Sequence, residues 1–146
     1  MSRIINKPHL IFWISIPIII LIGLLNRNEI LDVNIHDTYF VFSKTDLTIV
    51  ISILFTIIGL GYWIMLKANR KLTKWLNLTH IVLTFGGIFL MWILTKLFPE
   101  SIMEYDFNYN LAWGIYLIAL ITIFGQIIFP INIISGIIKK PNKTSG

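Results

Sequence analysis

Apolar residues run in four long blocks along this chain, and the polar residues collect in the short gaps between them. The blocks extend from about His9 to Leu25, Leu47 to Leu66, Leu78 to Phe98 and Leu111 to Ile138. None alternates with period two. Each is near or above the roughly 17–25 residues that a helix needs to cross a bilayer. Inside lipid the backbone must be hydrogen-bonded within its own segment, so a run of this kind becomes a helix even when rich in Ile and Val. The pattern predicts an all-α, polytopic membrane protein with four transmembrane helices and a single transmembrane domain over residues 1–146.

Composition sharpens this picture. The 146 residues are 56% hydrophobic and only 13% charged. A soluble domain carries about a quarter of its residues as charges, and a chain of this size cannot bury so much apolar surface in a core of its own. The first block is too long for the apolar part of a signal peptide, and Asn26-Arg27-Asn28-Glu29 offers no small-residue cleavage site. It reads as a retained helix. There is no cysteine, which excludes disulfides, thiolate metal sites and thiol catalysis.

Charge sets the orientation. Arg3 and Lys7 precede the first span, Lys67, Arg70, Lys71 and Lys74 lie between the second and third, and Lys139, Lys140 and Lys143 follow the fourth. All fall on one side of a four-span topology. The seven acids, Glu29, Asp32, Asp37, Asp46, Glu100, Glu104 and Asp106, fall on the other. The basic side is the cytoplasmic one, so both termini are expected there, in a bacterial inner membrane. The net charge of +5 therefore belongs to membrane topology and not to nucleic-acid binding.

Within the spans the polar inventory is thin. Lys96 is near the end of the third and can extend to the interface. Gln126 and Asn132 in the fourth are polar but not ionisable. No charge sits near a bilayer centre, which argues against a self-contained pump or carrier. His9 and His80 lie at inner helix ends on separate spans and read as packed or interfacial histidines, although paired histidines are able to ligate a haem. Gly114, Gly125 and Gly136 recur every eleven residues and share a helix face, a pattern that lets another helix approach closely, and Gly86-Gly87 is expected to do the same. Pro17 and Pro130 are expected to bend their spans. Trp13, Trp63, Trp75 and Trp113 fall near the predicted interfaces.

The loop after the first span carries the most specific signal. Asp32-Val33-Asn34-Ile35-His36-Asp37-Thr38-Tyr39-Phe40-Val41 resembles the Asp-x-x-x-His-Asp-Thr-Tyr-(Tyr/Phe)-Val segment of subunit I of the haem–copper (cytochrome c) oxidases. Gly59-Leu60-Gly61-Tyr62-Trp63 is similar to the aromatic exit of the helix that follows in that family. Leu72-Thr73-Lys74 and His80-Ile81-Val82-Leu83-Thr84-Phe85-Gly86-Gly87 resemble its Leu-Gly-Lys and His-x-x-Leu-Thr-Phe-x-Gly, and Trp113 sits where a Trp opens its last core helix. In order and spacing the chain looks like the final four helices of that subunit.

What the resemblance implies is limited by what differs. The family's His-x-His pair, which ligates both haems, is replaced by Lys44 and Asp46, and the helices carrying its other haem and copper ligands have no counterpart here. Lys44 and Asp46 read instead as a solvated outer end, with Asp46 a candidate N-cap for a helix opening at Leu47. The resemblance also implies a cation role for His36 and Asp37, whose family counterparts help to hold magnesium or manganese, while Asp32 matches an acid near the haem propionates. Oxygen-rich sites suit such ions. The other reading of these residues is a structured outer cap, tied down by side-chain hydrogen bonds to backbone. The expected function is a non-catalytic accessory, assembly or structural membrane component, with no cofactor, that packs in the lipid bilayer against other membrane subunits or itself. The alternative is a haem- or metal-containing subunit of a multi-chain respiratory oxidase.

Overall fold

The computed structural model describes residues 6–27, 30–35, 38–97 and 105–139. Four of its segments are helices long and apolar enough to cross a membrane: Pro8–Leu25, Lys44–Lys67, Lys74–Lys96 and Tyr109–Ile138. These coincide with the four apolar blocks to within four residues at each end, because hydropathy over such lengths overrides local propensity. The chain packs as two compact units, Met1–Ala68 and Asn69–Gly146.

The first unit holds helix α1 (Pro8–Leu25), strands β1 (Ile30–Ile35) and β2 (Thr38–Ser43), and helix α2 (Lys44–Lys67). Proline at the first position starts α1, where its missing N–H costs nothing. The helix continues through Pro17 without interruption. Its partner α2 buries Phe55, Ile58, Gly59, Tyr62 and Met65, positions that recur on one face of a 3.6-residue helix. Phe12 enters this face from α1, edge-on to Phe55 at 5.2 Å and stacked on Tyr62 at 6.1 Å between ring centroids. Gly59 faces the Trp13 indole and Gly23 faces Thr48, so closely that a Cβ at either glycine would overlap its neighbour. Small residues therefore set the spacing of these two helices.

The loop between the first two spans departs from the expected all-helical fold. It is an antiparallel hairpin in register from Ile30↔Ser43 to Ile35↔Thr38. Its sequence is dense in β-branched and aromatic residues, which favour extended backbone. The register leaves two residues between the strands, His36 and Asp37, and both lie outside the described residues. A second correction follows at the start of α2. The helix begins at Lys44, not Leu47, and its N-cap is Ser43, whose hydroxyl accepts from the Thr45 amide at 3.1 Å. Asp46 stands in the first turn instead, where a carboxylate favours the positive end of the helix dipole. The hairpin explains the shift, since β2 ends on a residue that is itself a good cap.

The second unit holds α3 (Lys74–Lys96), α4 (Tyr105–Gly125) and α5 (Ile128–Ile138). The fourth apolar block is broken at Gln126–Ile127, four residues before Pro130. A proline at 130 cannot donate to the carbonyl of Gln126. That carbonyl instead accepts from the Phe129 amide at 3.1 Å, and the turn tightens. In this unit Gly125 packs on Leu83 and Gly114 approaches Leu94, so both face α3. Of the Gly86-Gly87 pair, only Gly87 is at a close approach, against Thr122, while Gly86 faces open space.

Candidate functional site

The second unit is built with its polar residues inward. The buried residues of α3 are Asn77, His80, Thr84 and Gly87, and with Thr73 they follow a four-three-four-three spacing that places them along one face. Opposite them lie Thr122 on α4, Gln126 at the break, and Asn132 and Gly136 on α5, of which Thr122, Asn132 and Gly136 are buried. The large apolar side chains point outward: Val82, Phe89, Leu90 and Trp92 on α3, and Leu117, Leu120, Ile123 and Phe124 on α4, are exposed. In water this distribution is inverted. In lipid it is the expected one, because apolar side chains lose nothing against acyl chains while each polar group needs a protein partner.

Gln126 is the centre of this seam. Around the break, the amides of Gln126 and Ile127 bond back three residues, to Ile123 and Phe124, each at 3.0 Å. The Thr122 carbonyl thereby loses the Gln126 amide that an unbroken helix would give it. The Gln126 side chain replaces it, donating from Nε2 to that carbonyl at 2.9 Å and to Thr84 Oγ1 at 3.0 Å. Thr84 Oγ1 can accept because its own proton goes to the His80 carbonyl at 2.8 Å. The opposite end of the amide, Oε1, is therefore the acceptor facing His80 Nε2 at 3.0 Å. Donor and acceptor roles around this ring of groups admit one arrangement, in which His80 carries a proton on Nε2 and donates it to Gln126. Phe129 lies over the imidazole, with centroids 6.0 Å apart.

One turn away, Asn132 Nδ2 donates to Asn77 Oδ1 at 2.6 Å, and Asn132 Oδ1 accepts from the Thr73 amide at 3.0 Å. Asn132 thus satisfies the N-cap residue of α3. The seam then reaches the basic end of the unit. Lys139 Nζ donates to Thr73 Oγ1 at 2.6 Å, and Arg70 Nη1 donates to the carbonyls of Ile137 at 3.1 Å and Lys139 at 3.4 Å, closing the C-terminus of α5.

The sequence-predicted residues fall as follows. Gln126, Asn132 and His80 come together in this seam, a meeting that reading each span alone did not foresee. The signal was present, as polar and small residues at heptad spacing from Thr73 to Gly87. His9 lies in the first unit, buried, with its ring edge-on to Trp13 at 5.4 Å and its Nδ1 without a hydrogen-bond partner among the described residues. Lys44 opens α2 and Asp46 is in its first turn. Asp32 is on β1, while the candidate metal ligands His36 and Asp37 lie outside the described residues. Among the described residues no group of three or more His, Asp or Glu is placed to hold a metal ion.

No protein-family model matches this chain, and no solved structure matches it.

Removing Gln126 tests the seam. Gln126→Leu strands the His80 Nε2–H and the Thr122 carbonyl, at about 1–3 kcal/mol for a buried unpaired group. Interhelical bonds in membranes measure lower, roughly 0.6 and at most about 1.7 kcal/mol each, but Gln126 makes two of them and one bond back to α4, so a loss of about 2 kcal/mol is expected in thermal or denaturant unfolding in detergent. His80→Phe removes the stranded donor, and the double variant should lose less than the sum of the two single losses. Strict additivity would show that the two side chains do not meet.

Proposed function

We propose that this chain is a non-catalytic membrane component, related to the carboxy-terminal part of haem–copper oxidase subunit I, that packs against other membrane subunits in a bacterial inner membrane. The observation that carries the packing role is a groove between α1 and α2. It has a volume of about 390 Å³ and is lined by Ile16, Ile20, Gly23, Thr48, Ser52 and Ile53 among others. The buried hydroxyls of Thr45 and Ser52, both on its wall, have no hydrogen-bond partner among the described residues. An open groove of this kind receives the side chains of a further helix, and unpaired hydroxyls in lipid favour a partner that supplies a polar group.

The chemistry of the described residues supports a structural role. The imidazole of His80 is committed to Gln126, and Lys44 and Asp46 stand where the resembling family has its haem ligands. The chain is haem-free in this reading. Expressed alone and purified in mild detergent it should show no Soret band, and purified from native membranes it should co-migrate in fixed ratio with other membrane chains. A stoichiometric Soret band in the isolated chain, lost in His9→Ala or His80→Ala, contradicts the proposal and favours a redox subunit.

The orientation belongs to the same proposal: both termini cytoplasmic, with the hairpin outside. The segregation of basic and acidic loops supports it. Thr38 on β2 and Ala68 at the end of α2 are both exposed. Single cysteines there should label oppositely with an impermeant maleimide on intact cells, Thr38→Cys reacting and Ala68→Cys protected. Labelling of Ala68→Cys from outside would reverse the topology.

A further inference from the structure

The basic end of the second unit gathers four cations, Arg70, Lys71, Lys74 and Lys139, that pair with no carboxylate among the described residues. Asn69 turns the chain with a left-handed φ of 51°. Arg70 follows, half-buried, and is anchored to the carbonyls of Ile137 and Lys139 through Nη1 alone. Lys139 reaches back to Thr73, so two cations separated by 69 residues in sequence are fixed at one corner. Lys71 and Lys74 are exposed beside them. Among the described residues no carboxylate pairs with Arg70, Lys71, Lys74 or Lys139, and in the sequence every acid falls between residues 29 and 46 or between 100 and 106. Trp75, 76% exposed in the first turn of α3, stands next to Lys74, and an indole of that kind settles at the headgroup level of a bilayer.

Arg70 and Lys139 are held in place by bonds that leave their positive charge intact. The other guanidinium nitrogens of Arg70 make no hydrogen bond among the described residues. Four like charges around one helix end repel each other, and an anion with several oxygen acceptors relieves that repulsion while taking the remaining donors. At the edge of an apolar helical unit the anion supplied by the surroundings is a lipid phosphate, and basic clusters at helix ends recognise such headgroups.

We propose that Arg70, Lys71, Lys74 and Lys139, with Trp75, form a binding site for the headgroup of an anionic phospholipid. The site rests on the reading of the chain as membrane-spanning, and the test separates the two.

The full chain is purified in mild detergent and titrated with phosphatidylglycerol, phosphatidylcholine or inorganic phosphate, with bound lipid counted by native mass spectrometry and stability followed by thermal unfolding. Phosphatidylglycerol should be retained and should raise the unfolding temperature, and phosphatidylcholine and inorganic phosphate should do neither at equal concentration. Lys71→Gln and Lys74→Gln disturb no hydrogen bond among the described residues. Each should weaken phosphatidylglycerol binding roughly fivefold, as expected for one basic residue near an anionic surface. Lys96→Gln, at the far end of α3, should leave it unchanged. Equal retention of the two lipids, an equal effect of inorganic phosphate, or full retention in the Lys71→Gln/Lys74→Gln double variant overturns the lipid site while the membrane reading stands. A chain that stays monodisperse after detergent is removed overturns both.

Discussion

A buried carbonyl deprived of its helical amide needs another donor from the protein, and the Thr122 carbonyl is in that position. Pro130 removes one backbone donor, the turn at Gln126–Ile127 tightens to bonds of the three-residue kind, and the Thr122 oxygen is left over. The arrangement of the second unit follows from how this single acceptor is satisfied. The Gln126 side chain folds back onto it, and in doing so presents its own oxygen to His80 and its second proton to Thr84. The bond that repairs the helix break is therefore also the bond that fastens α3 to it.

That coupling explains why the interior of this unit is polar. Between helices in lipid, apolar contact offers little drive to associate, since acyl chains are equally good neighbours. Hydrogen bonds and close backbone approach supply it instead, and the second unit uses both: Asn77 with Asn132, His80 with Gln126, and Gly87 against Thr122. The first unit works differently. Its helices meet through Phe12, Phe55 and Tyr62, spaced by Gly23 and Gly59. Two ways of packing helices in a membrane, one aromatic and one polar, are thus found in one short chain.

Hydropathy made the four long apolar helices legible, because about twenty predominantly apolar residues are what a helix needs to cross a bilayer. Pro130 likewise announced a disturbance of the fourth span, although it is the preceding Gln126–Ile127 pair that leaves the helix. The partners of Gln126 and Asn132 were not legible, since hydropathy averages over the very residues that decide how helices meet. The regular spacing of Thr73, Asn77, His80, Thr84 and Gly87 carried that information, but it becomes meaningful only with a facing helix. The hairpin is hidden in the sequence for another reason. In a chain dominated by spans, the 30–43 segment reads as a connection, and the strand preference of its aromatic and β-branched residues is overlooked. Ser43, which ends the hairpin and caps α2, is recognisable as a cap only once the strand before it is seen.

The central claim is that α3 turns its polar face to protein and its apolar face to lipid. Nitroxide labels placed singly along α3 in reconstituted vesicles measure this directly, through relaxation by oxygen, which concentrates in lipid, and by a water-soluble nickel chelate. Oxygen accessibility should peak at Val82 and Phe89 and fall to a minimum at His80, Thr84 and Gly87, with the chelate excluded from both faces in mid-span. Maxima at Thr84 and Gly87, or free access of the chelate to Phe89, would contradict it.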